Sequence, residues 1–166
     1  ETLERHRFPC MYRIHDRPDE AKVEALRQYL DSLGVRLAKG QVIRAKTFAD
    51  ILERLKGKPF APEVNELVLR TQSQAVYGPE NIGHLGLALR RYAHFTSPIR
   101  RYADLLVHRA LIGALALGEG GIERAAGAAF AAAGEHISAT ERRAAACERD
   151  AMERYLTLFL ADKVGA

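Results

Sequence analysis

The chain has 166 residues, 48% of them hydrophobic, with 25 basic and 21 acidic side chains and a formal net charge of +4. That length and apolar content suffice for one buried core, which excludes a disordered chain and fits a single domain or part of one. No apolar run approaches the roughly 18 residues that a membrane-crossing helix needs, and the charged start Glu1-Thr2-Leu3-Glu4-Arg5 does not resemble a signal peptide, so a cytoplasmic protein is expected. The first residue is not methionine, which suggests a processed or excised piece.

Taken in chain order, the predicted elements are mostly helical. Residues 1–18 read as irregular or briefly extended, ending at Pro18. Asp19 then suits the start of a helix running to about Leu33 and stopped by Gly34. A second helix is expected from near Ala45 to Lys56, ended by Gly57 and Pro59, and a third from Pro62 to about Ala75. Gly78 and Pro79 read as a turn before a strand over residues 83–89. A helix from Pro98 to about Leu117 would carry the core stripe Ile99, Tyr102, Leu106 and Ala110. The glycines of 118–121 break it, and the alanine-rich stretch 122–164 predicts one long helix after a shorter first piece. In that helix Ala144, Ala145 and Ala146 suggest a packed face, and Arg142, Arg143 and Arg149 a basic one. Salt bridges to Glu141, Glu148 and Glu153 would explain the arginines equally well. No internal repeat is visible.

Charge is concentrated in one stretch. Residues 81–110 hold five arginines (Arg90, Arg91, Arg100, Arg101 and Arg109), three histidines (His84, His94 and His108) and the single acid Asp104, leaving 20 basic and 20 acidic side chains elsewhere. Within it, HFTSPIRRYADLLVHR (residues 94–109) sets Arg100 and Arg101 where the first turn of the predicted helix falls, capped by Thr96 or Ser97 with Pro98 following. Cations there oppose the helix dipole at about 0.3–1 kcal/mol each, a penalty that a bound anion would reverse. The plainer reading is that the arginines pair with carboxylates. Tyr92, Phe95 and Tyr102 are interleaved with the basic groups, a mixture that suits a single nucleic-acid strand with phosphates on arginines and bases on rings, although a solvated basic face would look similar.

Other chemistries fit poorly. His94, Ser97 and Asp104 are the residue types of a hydrolase triad, yet no Gly-x-Ser-x-Gly elbow surrounds Ser97. The histidines lack HExxH spacing, and the aspartates are scattered instead of clustered for paired magnesium ions. Cys10 and Cys147 are isolated and are expected to be reduced thiols.

The stretch TQSQAVYGPENIGHLGLALRRYAHFTSPIRRYADLLVHRALIGAL (residues 71–115) closely resembles the C-terminal half of the RNB catalytic domain of the ribonuclease II and ribonuclease R family. YRIHDRPDEAKVEALRQYLDSLG (12–34) resembles the family's segment downstream of its catalytic carboxylates, and HISATERRAAACERDAMERYLTLFLADKVG (136–165) the helix leading out of the domain. The resemblance implies that the whole chain is the C-terminal part of an α+β RNB domain, here mainly α with one or two short strands. It also implies that the aspartate cluster and the flanking β-barrel RNA-binding domains lie outside it.

The same resemblance implies a function: a processive, hydrolytic 3′-to-5′ exoribonuclease that uses magnesium and releases nucleoside 5′-monophosphates from single-stranded RNA. Arg100 matches the family's catalytic arginine at the scissile phosphate. Tyr92, His94, Thr96, Ser97 and Arg101 would line the phosphate path, Glu141 matches a position near the RNA, and Tyr77 and Gln72 are weaker candidates. The magnesium ligands and the N-terminal half of the same protein would be supplied from elsewhere in the polypeptide. The alternatives are a non-catalytic RNA-binding module derived from that family and a helical domain whose arginines bind acidic protein surfaces.

Overall fold

A computed structural model describes residues 1–40 and 42–163. Two apolar cores organise it, and the chain leaves the first, builds the second, and returns. The short helix α1 (Thr2–Arg5) and strand β1 (Tyr12–Ile14) open the body. Helices α2 (Glu20–Ser32), α3 (Ala45–Leu55) and α4 (Ala61–Thr71) form a lobe, and strand β2 (Val76–Gly78) re-enters the body. Helix α5 (Tyr102–Leu115) and the long α6 (Phe130–Leu160) complete it.

The lobe follows the local signals. Asp19 caps α2 by accepting from the N–H groups of Ala21 and Lys22, and Gly34, at φ 76°, ends it. Thr47 Oγ1 accepts the Arg44 N–H at the start of α3, Gly57 (φ 78°) follows its end, and Pro62 sits in the first turn of α4. Leu26, Leu30, Phe48, Ile51, Leu55, Val64 and Val68 then meet in an apolar core. Helix α4 stops at Thr71, short of the expected Ala75, because the chain turns extended at Gln72 to reach β2.

In the body β1 and β2 pair antiparallel, with Tyr12 opposite Gly78, Arg13 opposite Tyr77 and Ile14 opposite Val76. Gly78 is therefore in a strand, not a turn. The strand expected over residues 83–89 is instead a loop around a 3₁₀ turn (Leu85–Leu87). His84 and Leu89 exchange backbone hydrogen bonds across it, at 2.8 and 3.2 Å, so the segment closes on itself and cannot extend. On the side of β1, the Arg13 N–H donates to the Tyr92 carbonyl and the His15 N–H to Gly83.

Met11, Tyr12, Tyr77, Ala103, Leu106, Val107, Ala110 and Phe130 form the body core. Helix α6 crosses close over β2 at Gly134, where a Cβ would stand 2.6 Å from the Tyr77 carbonyl oxygen. Ser138, one turn on, accepts the Tyr77 N–H and donates to the Gly134 carbonyl. The expected two-piece alanine-rich segment is present as a 3₁₀ run (Arg124–Ala129) followed by α6. Its packed face is not: beyond Thr140 the described helix is exposed except for the half-buried Ala146, so Ala144 and Ala145 face solvent. Cys10 is buried and Cys147 exposed, both as free thiols, and burial pushes the Cys10 thiol up to about 11.

Candidate functional site

Pairing of β1 with β2 and of β1 with residue 92 brings five rings into one line. His15 and His84 stand with centroids 5.0 Å apart, His84 meets Tyr92 edge-on at 5.2 Å, Tyr92 meets His94 at 5.5 Å, and His94 meets Tyr77 at 5.6 Å. The Tyr77 hydroxyl lies 2.8 Å from His94 Nδ1. Burial raises the Tyr77 pKa, so the phenol keeps its proton and donates to a neutral imidazole. His94 is held neutral by burial first and by the Arg101 and Arg13 cations next, which lower its pKa, and burial and His15 do the same to His84. At the far end His15 accepts the Gly86 N–H on Nδ1 and reaches the Ser73 carbonyl through Nε2. That arrangement specifies the tautomer with its proton on Nε2.

Over the Tyr77 end lies Arg13, its guanidinium 4.4 Å from the ring centroid and bidentate to Glu141 on α6 at 2.6 and 3.2 Å. Glu141 is thus placed beside Tyr77 and His94 as part of one polar wall. No sequence signal singles out Arg13, because its partner lies 128 residues away. Gln72 sits at the other end, with its amide oxygen near Gly86 and His15, apart from the Tyr77–His94 group.

The segment TSPIRR differs from expectation in an instructive way. Helix α5 begins at Tyr102, not Pro98, and Arg101 is its N-cap residue in extended geometry, φ −125° and ψ 110°. Neither Thr96 nor Ser97 caps it through a side chain; residues 97–101 form a turn instead, with the Arg100 and Arg101 N–H groups donating to the Ser97 carbonyl. Asp104 decides this. Its carboxylate, 0% exposed, accepts the Ser97 N–H at 2.8 Å and pairs with the Arg101 guanidinium through two contacts of 2.9 Å. Burial alone would raise the Asp104 pKa; the Ser97 N–H and Arg101 outweigh it and hold the group ionised. The turn also throws Ile99 into solvent at 98% exposure and leaves Tyr102 half exposed, so both drop out of the expected core stripe while Leu106 and Ala110 keep to it.

The five arginines of the basic stretch separate accordingly. Arg101 pairs with Asp104, as the carboxylate reading expects for one of the two adjacent arginines, and Arg91 pairs with Glu4 and Glu1. Arg109 donates to the Gly120 carbonyl. Arg100 and Arg90 are exposed, and neither has a hydrogen-bond or salt-bridge partner among the described residues. Thr96 is exposed on the same loop, and Phe95 stacks on His108 at 4.2 Å. The result is a full cation at Arg100 on a loop pinned to a neutral, hydrogen-bonded wall of rings. Such an arrangement can hold a phosphodiester while the wall contacts sugar or base.

Residues 1–116 match the family model of the RNB domain. The chain belongs to the RNB domain family. Among curated relatives it is 42% identical to Ribonuclease R of Aquifex aeolicus over 163 residues, 98% of this chain and 23% of that protein. It is 38% identical to Ribonuclease R of Escherichia coli over 171 residues, 98% of this chain and 21% of that one. Among solved structures, Mycoplasma genitalium RNase R in complex with ribose-methylated single-stranded RNA matches with a TM-score of 0.86 at 28% identity, covering 97% of this chain and 26% of that one. The chain thus spans about a quarter of the length of these RNB-domain proteins. Its mainly helical fold with one short strand pair is theirs.

Among the described residues no three His, Cys, Asp or Glu side chains converge as a metal site. No described helix is long and apolar enough to cross a membrane.

Proposed function

We propose that this chain is the arginine-bearing part of the catalytic domain of a 3′-to-5′ hydrolytic exoribonuclease that degrades single-stranded RNA processively to nucleoside 5′-monophosphates. The observation that carries the reading is Arg100: an exposed guanidinium without a protein partner among the described residues, on a turn whose other arginine is neutralised. The relatives named Ribonuclease R and the RNA-bound structure of Mycoplasma genitalium RNase R support it. Arg100 would meet the scissile phosphate and stabilise the charge that develops as the bond to the terminal nucleotide breaks. Tyr77, Tyr92, His94 and Glu141 form the wall along which the strand runs, with Thr96, Ser97 and Arg101 at the turn.

Magnesium does not fit a site among the described residues. The reading assigns its ligands to the preceding part of a longer polypeptide, which docks to this chain as its partner and works with it in the cytoplasm.

The test uses the polypeptide that carries this chain on a 5′-labelled oligoadenylate, with magnesium or with EDTA. A ladder shortened from the 3′ end and abolished by EDTA is expected. Replacing Arg100→Ala should leave RNA binding nearly intact and lower cleavage by about 10²–10³, since the contact strengthens in the transition state. Equal losses in binding and rate would remove Arg100 from that role, and RNA retention without shortening by the unmutated protein would make it a non-catalytic RNA-binding module.

A further inference from the structure

We infer that Asp104 and Arg101 form an internal strut that aims Arg100, and that Arg101 is a positioning residue and not a phosphate ligand. The inference rests on the reading of Arg100 given above and divides two adjacent arginines by task. Asp104 is the single acid in the basic stretch, and it is fully enclosed. Its Oδ2 accepts from both ends of the turn, the Ser97 N–H and the Arg101 Nη2, while Oδ1 stands 2.9 Å from Arg101 Nε in the ion pair. Arg100, between them, is left to point outward. The Asp104 N–H donates to the Arg101 carbonyl at 3.1 Å and ties the same turn to the first turn of α5.

Arg101 cannot easily leave this pair for an RNA phosphate. Its side chain is 24% exposed, and its departure would leave a 0% exposed carboxylate ionised and unpaired, the costly case for a buried ion pair. With its charge cancelled by Asp104, Arg101 offers a phosphate little net attraction, whereas Arg100 offers a full charge. The strut has a second consequence. After burial, and together with Arg13, the Arg101 guanidinium adds to the lowering of the His94 pKa, so the residue that anchors the turn also bears on the wall beside it.

Removing one partner alone risks unfolding, so the test replaces both: Arg101→Met with Asp104→Leu, an apolar pair of the kind that commonly preserves folding. The full-length protein is used, with three readouts. Single-turnover cleavage of oligoadenylate should fall about a hundred-fold, the scale expected when a reacting group is misplaced by about an ångström. Adding Arg100→Ala to the pair should lower it little further, because the two changes remove the same contact. The salt dependence of RNA binding should be unchanged, whereas loss of a true phosphate contact would lower the slope by about 0.7. Cleavage within about three-fold of the unmutated protein, or a slope reduced by that amount, overturns the inference. Amide exchange at Ser97, Arg100 and Arg101 gives a reading independent of catalysis. If Arg100→Ala alone cleaves normally, the functional reading of Arg100 fails, and the strut is then judged by whether these amides lose protection in the paired variant. Unchanged protection overturns it.

Discussion

In the lobe, Leu26, Leu30, Ile51 and Val64 meet within one continuous stretch of chain, whereas in the body Leu3 and Met11 pack with Leu106 and Phe130. The lobe encloses one polar side chain, Thr71, whose hydroxyl donates to the Leu67 carbonyl within its own helix; the body encloses His15, Asp104 and Ser138, whose partners lie outside their own turn of chain or tie separate elements together. A buried polar group without partners costs about 1–3 kcal/mol, so the body depends on each of these contacts being made. The difference teaches where function sits. Helices stacked through neighbouring sequence serve as scaffold, and segments drawn from distant parts of the chain hold the arginine turn and the ring wall.

Matched deletions in the two cores would sharpen this contrast and have the largest expected effect. Leu30 in the lobe and Leu106 in the body are both buried, at 0% and 5% exposure. Each change to alanine should cost about 2–5 kcal/mol in urea unfolding. Only Leu106→Ala, which loosens α5 two residues beyond Asp104, should also lower single-turnover cleavage under conditions where the protein is fully folded. A similar fall in Leu30→Ala would mean that the lobe takes part in the site.

Gly134→Ala tests the join between α6 and β2. Alanine in a helix interior should gain up to about 1 kcal/mol over glycine, but here its methyl would stand 2.6 Å from the Tyr77 carbonyl oxygen and 3.0 Å from its carbon. Backbone cannot move aside as a side chain can. The clash wins, for a net loss of about 1–3 kcal/mol in urea unfolding. Because Tyr77 and the Ser138 contact lie at the same crossing, the His94 imidazole should shift in NMR in this variant and stay unmoved in Leu30→Ala.

The same division governs how much was legible beforehand. Asp19, Gly34, Gly57 and Pro62 mark the lobe helices because caps and stops act within a turn of the residues that carry them. The apolar run of 85–89 carries the composition of a strand and none of its partners; β1 pairs with β2 instead, and residues 84 and 89 close on each other. Arg100 and Arg101 are the same residue type in sequence, and only a carboxylate three positions on, enclosed by packing, tells them apart. Tyr77, Tyr92 and His94 stand out one by one in the sequence, and the structure joins them in one line of rings through His94, while Arg13 reaches the wall through Glu141 with no local mark.

The smallest expected effect separates lobe and body by pH. All six histidines lie outside residues 19–71, so acidification through the histidine range acts on the body alone. His84 and His94 have pKa values lowered by burial, so the unfolded chain takes up their protons first. Their contribution is complete above the ordinary histidine value of about 6.5 and is lost as pH falls below it, through the depressed values. For His94 the loss has a structural cause, because protonation removes the acceptor of the Tyr77 hydroxyl and adds a charge beside Arg101 and Arg13. In the lobe, Glu24 is lowered from 4.5 to about 2 by its hydrogen bond with Arg27, so that contribution is complete above 4.5 and is lost only as pH falls from there toward about 2. Between pH 7 and about 5.5, amide protection at Leu106 should therefore weaken while that at Leu30 holds. His94→Gln should flatten the Leu106 response without touching Leu30. Parallel loss at both amides would show that lobe and body open as one unit, and the contrast drawn from their cores would then be one of architecture without a matching division in stability.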